Sequence, residues 1–418
     1  MKILFSVGEI EDNYNANTKI VLQIAEKLYF CGHDCCIAGV NYGDKNQSDI
    51  NNKFEIKKLS AIKPVVRSSI KFEKFLQKKG IDRNNARKLF IKRHPISSAF
   101  LFLRYTSFYR EKIEQPRYLK QIKRLSKKIK PDAIICVYKP INSFEIIMNS
   151  DIDVPKFAYQ LDPWGLHRID NKNCDMDAIE RETAVFEKAK HIFTTPILKR
   201  QYAENPHYQN FLPKMTELEF PNIKQYDEIL KVPAIDFDKN YINILFSGIV
   251  SDEYRDPKCL LENLACLFTE KIRVYFMGTN NSKSLDEFIA KYPNNIFFVD
   301  KVDMETAFVT MQRADILVNI SNDIDNQVPS KIFDYFSMGK PIINVQKIEN
   351  CPASEYFEKY PLAFNIKEYQ QTNLSELKQF IYNSIEEKVS FREIKEIYKT
   401  ATVDYVAEKI EKVLGKSI

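Results

Sequence analysis

The sequence predicts an α/β protein built from two doubly wound parallel domains. Its 418 residues exceed what one ordinary core accommodates and fit two domains of roughly 200 residues each. The apolar runs 2–7 and 242–247 each end at a glycine and each lead through a polar loop into a helical pattern, so a strand–loop–helix series begins twice. The irregular, charged stretch 223–240 lies between the two series and is the predicted linker.

The first predicted domain, residues 1–222, alternates strands and helices. A helical stripe at 18–30 follows the first strand, and further patterns predict strands at 35–40, 132–138, 156–161, 191–195 and 214–220 and a helix at 177–190. Ligands of parallel sheets lie beyond the carboxyl ends of the strands. The strand at 156–161 ends in Asp162, Trp164 and His167, which places a carboxylate, an imidazole and the chain's only tryptophan at such an end.

These three side chains are candidate site residues. Asp162 can orient or deprotonate a hydroxyl group, and His167 can contact a phosphate or transfer a proton, so we predict both as catalytic residues. Trp164 offers a flat apolar face to an acceptor. The structural alternative is that Asp162 is a turn residue before Pro163 and that Trp164 fills the core.

The second predicted domain, residues 241–399, repeats the pattern. After Gly248 a loop leads through Arg255 into a helix beginning at Lys258, a strand-to-helix turn where basic groups bind a diphosphate well. The alternative is a solvated basic pair. Further strands are predicted at 273–278 and 296–302, the last ending at Val302, and a helix at 304–314.

The most informative stretch is the crossover that follows the strand at 315–321. Pro329 suits the first turn of a helix of about three turns, Gly339 and Pro341 end it, and a strand at 341–345 follows. Ser330, Lys331 and the amides of the first turn suit a phosphate. Asp334, one turn further on, suits the hydroxyl groups of a ribose, so the segment points to a nucleotide-sugar; the alternative is an ordinary crossover helix capped by Ser330.

The string P-S-K-I-F-D-Y-x-x-x-G-K-P-I-I at 329–343 resembles the donor-site segment of GT-B glycosyltransferases of family 4. The resemblance implies two Rossmann-like domains facing across a cleft, with the last helix, 400–418, crossing back to the first domain. It also implies a retaining transfer that needs no metal ion. The donor contacts that it implies are Gly248, Arg255, Lys258, Val302, Asn326, Ser330, Lys331, Ile332 and Asp334. Asp334 stands where Glu is usual, and Asn326 replaces the acid that contacts the transferred sugar.

The resemblance is weaker in the first domain. The family's first loop usually holds a Gly-Gly pair near the acceptor; here that loop reads N-Y-N-A-N, and Asn15 is the candidate acceptor contact. The D-P-W tract at 162–164 is similar to one in family members that build bacterial surface polysaccharides, which implies that Trp164 stacks on an acceptor sugar.

The charge distribution and the cysteines bear on partners and location. Residues 63–130 hold 21 Lys and Arg against four acids, a local net charge of +17, whereas the whole chain carries +6. This segment predicts contact with an anionic membrane surface, or else helices with solvated charges; no nucleic-acid module accompanies it. The eight cysteines have no metal-ligand spacing, which favours reduced thiols in a cytoplasmic protein without a metal or other cofactor. No apolar run has the length of a membrane span, so we expect a cytoplasmic protein that is soluble or peripheral on the inner membrane face.

The function predicted from these observations is transfer of a sugar from a nucleotide-diphosphate donor to the hydroxyl group of a saccharide, a lipid-linked saccharide or a protein. Two alternatives share the architecture. One is an epimerase acting on the nucleotide-sugar itself, and the other is a non-catalytic partner subunit, which Asn326 and the missing glycine pair keep open.

Overall fold

A computed structural model of the chain describes residues 1–10, 16–40, 55–59, 114–138, 143–166, 175–226 and 231–417. The chain divides into two compact units. The first unit comprises Met1–Pro221 together with Val403–Ile418, and the second comprises Asn222–Thr402. The residues predicted as a linker, 223–240, therefore belong to the second unit.

The first unit contains a parallel sheet in the order β3-β2-β1-β4-β5-β6-β7. Its strands are β1 Lys2–Glu9, β2 Asp34–Val40, β3 Glu55–Leu59, β4 Ala133–Val137, β5 Lys156–Gln160, β6 His191–Thr194 and β7 Met215–Glu217. Its helices up to β7 are α1 Ala16–Phe30, α2 Gln115–Ile129, α3 Ser143–Met148, α4 Met176–Lys188 and α5 Pro196–Glu204. β4 is buried along its whole length, as expected for the centre of a sheet covered on both faces.

Helix α2 resolves one question that the sequence left open. Its apolar stripe, Tyr118, Ile122 and Leu125, is buried in the core of the first unit. Basic side chains occupy the opposite face of the helix, where Lys120 and Lys127 are exposed. The stripe is therefore committed to the core, and only the charged face of α2 remains for a partner.

The second unit repeats the same winding with the order β10-β9-β8-β11-β12-β13. Its strands are β8 Ile242–Ser251, β9 Ile272–Asn281, β10 Ile296–Asp300, β11 Ile316–Ile320, β12 Ile342–Gln346 and β13 Ala363–Lys367. Its helices are α6 Lys258–Ala265, α7 Lys283–Lys291, α8 Met304–Arg313, α9 Lys331–Ser337, α10 Ser354–Phe357, α11 Leu374–Ser384 and α12 Phe391–Ile397. In each unit the first strand lies beside the fourth, and this switch in strand order marks where ligands bind in such sheets.

The last helix, α13 Val403–Ser417, belongs to the first unit, where it packs against α1. An ion pair of 2.6 Å joins Lys27 to Asp404, and His33 Nε2 lies 3.0 Å from Glu411 Oε1. The C-terminal helix thus returns to the first unit, as the fold prediction required.

Strands β8 and β9 run four and three residues beyond their predicted ends, because two facing glycines let them pair closely. Gly248 lies opposite Gly278 in the register. Gly278 has φ +150°, and a Cβ on it would lie 1.8 Å from the Gly248 carbonyl oxygen. Only glycine fits there.

Three amides, of which Asn319 and Asn344 are buried, form a ladder across three strands of the second sheet. Asn319 Nδ2 donates to Asn344 Oδ1 at 2.8 Å, and Asn344 Nδ2 donates to Asn365 Oδ1 at 2.8 Å. The three residues are direct neighbours in the register of β11, β12 and β13. Because a slip of one residue would separate the amides, the ladder favours a single register.

The glycine pair makes a testable prediction about stability. Gly278→Ala is expected to lower the free energy of unfolding by at least about 2 kcal/mol, because the new methyl group meets backbone. Gly415→Ala is the control: nothing lies within 4 Å of the added Cβ on α13, so this change should stabilise by roughly 0.5–1 kcal/mol. Urea unfolding followed by circular dichroism measures both, and equal effects would contradict the close approach of β8 and β9.

Candidate functional site

The carboxyl end of β8 carries the first candidate site. Lys331, at the start of α9, donates through Nζ to the backbone oxygen of Ser247 and, at 3.2 Å, to its hydroxyl oxygen. The Tyr335 hydroxyl donates to the same backbone oxygen at 2.9 Å. The predicted phosphate lysine is thus anchored to β8 at Ser247, next to Gly248 and four residues before the strand ends.

Arg255 reaches the same place from a tight hairpin. Ser251 and Arg255 form an antiparallel bridge with backbone bonds in both directions, of 3.0 and 3.3 Å. Between them, Asp252 accepts hydrogen bonds from Ser282 Oγ at 2.5 Å and from the amide of Lys283 at 2.9 Å. These bonds lower the pKa of Asp252. The carboxylate therefore fills the N-terminus of α7 and fixes the hairpin that carries Arg255.

Both cations influence Tyr335, Arg255 through its charge and Lys331 by contact with the ring. Arg255 Nε donates to Asn322 Oδ1 at 2.8 Å, and the Arg255 charge opposes the rise in the pKa of Tyr335 that burial causes. Lys331 Nζ lies 5.5 Å from the centre of the Tyr335 ring. We call Arg255 and Lys331, with their partners Ser247, Asn322 and Tyr335, the basic cluster.

Lys258 points elsewhere. Its side chain is largely exposed and its Nζ lies 4.0 Å from Glu262 Oε1, one turn along α6. Its amide donates to Asp256 Oδ1. The described contacts therefore tie Arg255 and Lys331 to β8 and leave Lys258 along its own helix, whereas the sequence paired Lys258 with Arg255.

The crossover helix is shorter than predicted. It spans seven residues, Lys331–Ser337, and Ser330 makes no capping bond through its side chain. Pro329 lies before the helix, where its carbonyl accepts from the Ile332 amide at 3.1 Å, and the Ile332 side chain is fully buried. Gly339, with φ +67°, ends the helix as the sequence predicted.

The remaining donor candidates differ in their contacts and in their burial. Asp334 Oδ1 accepts a hydrogen bond of 2.6 Å from the Tyr226 hydroxyl, so the predicted ribose carboxylate is already engaged. Asn326 is fully buried. Val302 is half-buried just after β10.

In the first unit, the residues after β5 form a second candidate site. Asp162 Oδ2 accepts from Asn17 Nδ2 at 2.9 Å, and Asn17 also donates to the Tyr138 carbonyl at 3.3 Å. Trp164 is half-buried and stacks on Tyr138, with ring centres 5.3 Å apart and planes at 16°. We call residues 162–165 the acceptor loop, after the role that the sequence predicts for Trp164. The loop brings Asp162 and Trp164 to the ends of β4 and β5, beside the start of α1.

The acceptor loop is tied to a buried carboxylate. Glu182 on α4 is fully buried and accepts from Gln160, Tyr202, Tyr208 and the Gly165 amide. Burial raises the pKa of Glu182 to about 7, although these hydrogen bonds oppose the rise. No charge-neutralising partner appears among its described contacts.

Sequence reasoning placed some of these residues and missed others. Asn15 and His167 lie outside the described residues. Asn17, the last residue of the N-Y-N-A-N stretch, lies in α1, and its side chain contacts Asp162. Glu182, Tyr226 and Gly278 were not singled out; a glutamate on an apolar helix face and a glycine at a strand's end were the only local signals.

Comparison with known proteins identifies the fold. No protein-family model matches the sequence, and no curated protein matches it. Among solved structures, the chain is similar to a sucrose-phosphate synthase from Thermosynechococcus elongatus, with a TM-score of 0.63 and 13% identity over 99% of this chain and 98% of that one. A glycosyltransferase from Rickettsia africae has a TM-score of 0.62 and 12% identity over 100% and 98%. A putative UDP-N-acetylglucosamine 2-epimerase from Listeria monocytogenes has a TM-score of 0.57 and 10% identity over 99% and 96%.

These similarities extend over 96–100% of both chains, so the protein has the GT-B fold. Identities of 10–13% establish the fold and leave the activity to be argued from the site.

Two features are absent from the described residues. No group of three or more His, Cys, Asp or Glu side chains within those ranges is arranged to hold a metal ion. None of the helices in the same ranges has both the length and the apolar character needed to span a bilayer.

The buried Glu182 makes the stability depend on pH. Its pKa rises on folding from an ordinary 4.5 to about 7, so the folded state keeps a proton that the unfolded chain has already released. Stability from this group is therefore lost as the pH rises from about 4.5 to about 7. The wild-type free energy of unfolding, measured against that of Glu182→Gln, should fall by roughly 3 kcal/mol between about pH 4 and pH 8. Parallel curves for the two proteins would contradict the raised pKa.

Proposed function

We propose that the protein is a glycosyltransferase that binds a nucleoside-diphosphate sugar in its second unit and transfers the sugar to an acceptor hydroxyl bound in its first unit. The observation that carries the proposal is the basic cluster. Two cations from separate segments are held against β8: Arg255 by its backbone bridge to Ser251, and Lys331 by its bonds to Ser247. This is the point where strand order switches, and the glycines at 248 and 278 leave the backbone there without side chains.

The chemistry of the cluster fits the departure of a diphosphate. When the glycosidic bond to the donor breaks, negative charge develops on the leaving phosphate oxygens. Preorganised cations stabilise such charge strongly in a site shielded from water. In this proposal Arg255 and Lys331 take the part that a divalent ion has in other transferases, so EDTA should not abolish the reaction.

The acceptor loop supplies the complementary half. Asp162 offers a carboxylate to orient or deprotonate the incoming hydroxyl, and Trp164 offers an apolar face to its sugar. We propose in addition that the transfer retains the configuration of the sugar and that the protein resembles family 4. The support for both is the segment 329–343, in which Asp334 is the predicted ribose contact. A saccharide, free or lipid-linked, is the acceptor class that suits a half-buried indole with an apolar face.

The donor site gives a binding prediction. Titration calorimetry and thermal shift with UDP, GDP and ADP should show that one of them binds and raises the melting temperature. Arg255→Ala and Lys331→Ala should each weaken that nucleotide by roughly 10- to 100-fold, because each removes a charge-assisted bond to phosphate.

Lys258→Ala is the matched control for this prediction. It removes the same charge, yet its Nζ lies toward Glu262, so its effect should stay within about threefold, as for other exposed ion pairs. Failure of all three nucleotides to bind, or an equal loss for Lys258→Ala, would contradict the assignment of the basic cluster.

We propose in addition that the first unit adsorbs to an anionic membrane surface through the charged face of α2. The apolar stripe of α2 is buried in the core, so adsorption would be electrostatic, without insertion of this helix. A lipid-linked acceptor at the cytoplasmic face would then be within reach. Most of the basic segment 63–130 lies outside the described residues.

Liposome sedimentation tests this surface. The wild type should bind vesicles rich in phosphatidylglycerol at low salt and dissociate at high salt. The double change Lys120→Glu with Lys127→Glu should weaken binding by roughly 30-fold, at about 1 kcal/mol per lysine. Lys412→Glu with Lys416→Glu on α13 changes the net charge equally and should have a smaller effect. Salt-independent binding, or equal loss in both double variants, would count against adsorption through α2.

A second candidate function is epimerisation of the nucleotide-sugar, which the similarity to the Listeria protein favours. The two functions differ in what they need. An epimerase would change the sugar of the donor without any acceptor, whereas a transferase would release the nucleoside diphosphate only when a saccharide is added. Product analysis by chromatography with and without acceptor separates them.

A further inference from the structure

We propose that Glu182 is a positioning residue for the acceptor loop: its buried carboxylate holds Asp162 and Trp164 in place from both ends of the loop. The geometric part of this inference stands on the contacts of the first unit alone. Only its link to the acceptor rests on the proposed function.

Both oxygens of Glu182 are used. Oε1 accepts from Gln160 Nε2 at 3.0 Å and from the Tyr202 hydroxyl at 2.8 Å. Oε2 accepts from the Gly165 amide at 2.9 Å and from the Tyr208 hydroxyl at 2.5 Å. Four donors from three separate parts of the chain converge on one side chain that has no exposed surface. Hydrogen bonds in such a buried network rigidify the groups that they join. Of the Gln160 amide, only Nε2 takes part, because its Oε1 has no hydrogen-bond partner among the described residues.

Two of these donors flank Asp162 and Trp164: Gln160 lies two residues before the loop, and Gly165 is its last residue. At the start, Gln160 Nε2 donates to Glu182 and also to the Asp162 carbonyl at 2.9 Å, so one amide links the carboxylate to Asp162. At the end, the Gly165 amide binds Glu182 directly. Asp162 and Trp164 lie between these two anchors, and neither can shift far while both bonds persist.

The acceptor loop is closely packed against its neighbours. A Cβ on Gly165 would lie 2.3 Å from the Tyr208 hydroxyl and 2.8 Å from Ile179 Cα. The neighbour of Glu182 on α4, Arg181, has its guanidinium 5.8 Å from the centre of the Trp164 ring and is itself held by Glu145. One turn of α4 thus contacts both the backbone and the indole of the acceptor loop.

A carboxylate is the side chain that this arrangement requires. Glutamine has the same shape, but its amide group would face the Gly165 N–H on one side or the Gln160 Nε2 on the other. Either orientation sets two donors against each other in a buried place. The Gly165 amide cannot change its role, and Gln160 Nε2 is also needed by Asp162, so Glu182→Gln should release one end of the loop.

The position of the loop can be read without any substrate, because Trp164 is the chain's only tryptophan. Acrylamide quenching of its fluorescence in the full-length protein reports how exposed the indole is. Glu182→Gln should raise the quenching constant at least about twofold as the loop opens locally. Tyr208→Phe, which removes one donor and adds no mismatch, should give a smaller rise and carries the test if Glu182→Gln does not fold.

Lys214→Met is the matched control. Lys214 Nζ donates to the carbonyls of Phe186 and Ala189 at 2.6 and 2.9 Å, at the far end of α4. Its loss should destabilise the same helix while the quenching of Trp164 stays at the wild-type value. An equal rise in Lys214→Met would show that any weakening of α4 exposes the indole, and would overturn the proposal.

Unchanged quenching in folded Glu182→Gln, or in Tyr208→Phe if the first variant does not fold, would also overturn the proposal.

The role of Glu182 in the reaction has its own readout. With the saccharide that supports nucleotide release by the wild type, kcat/KM for that saccharide should fall about tenfold in Glu182→Gln, while affinity for the nucleoside diphosphate is retained. If no nucleotide binds the wild type, the proposed function fails while the quenching result still decides the geometry. Exposed Trp164 with unchanged kcat/KM would overturn the acceptor role.

Discussion

Parallel pairing outward from the first strand is the constraint on which each unit depends. β1 pairs with β2 on one side and β4 on the other, and β8 likewise pairs with β9 and β11. The loops that follow the central strands therefore leave in opposite directions and open a gap at the carboxyl edge. In the second unit Arg255 and Lys331 contact β8, and in the first unit Asn17 contacts Asp162 after β5. Because the same winding occurs twice, one chain has two candidate sites of different chemistry.

The two sites are stabilised in different ways. In the second unit, backbone carbonyls and a hairpin hold the cations, with Ser247 accepting from Lys331 and Asp252 fixing the turn before Arg255. In the first unit, a buried carboxylate holds neutral donors around the acceptor loop. Burying Glu182 disfavours its charged form, whereas the cations lie at a partly open edge. Positioning in the first unit therefore costs free energy, because a carboxylate must be buried. The raised pKa of Glu182 reflects this cost.

Local sequence signals predicted what depends on local physics. Gly339 ended α9 because a left-handed residue is needed there, and the stripe of α2 followed from helical spacing. Tyr226 and Asp334 are 108 positions apart, and no periodicity could bring them together. The same holds for Gly278, whose meaning comes from the Gly248 carbonyl facing it. The length of α9 was overestimated because Pro329 and Ser330 fit a helix start as well as the turn that they adopt.

Asp334 shows how the fold and the proposed chemistry interact. The segment that follows the first unit runs along α9: Asn222 Nδ2 donates to the Ser330 carbonyl, the Lys224 amide donates to Ser337 Oγ, and the Tyr226 hydroxyl donates to Asp334. The shorter Asp at this position keeps its carboxylate close to the helix, within reach of Tyr226. A ribose bound at Asp334 would share that carboxylate with Tyr226, so nucleotide binding would act directly on the segment by which the chain enters the second unit.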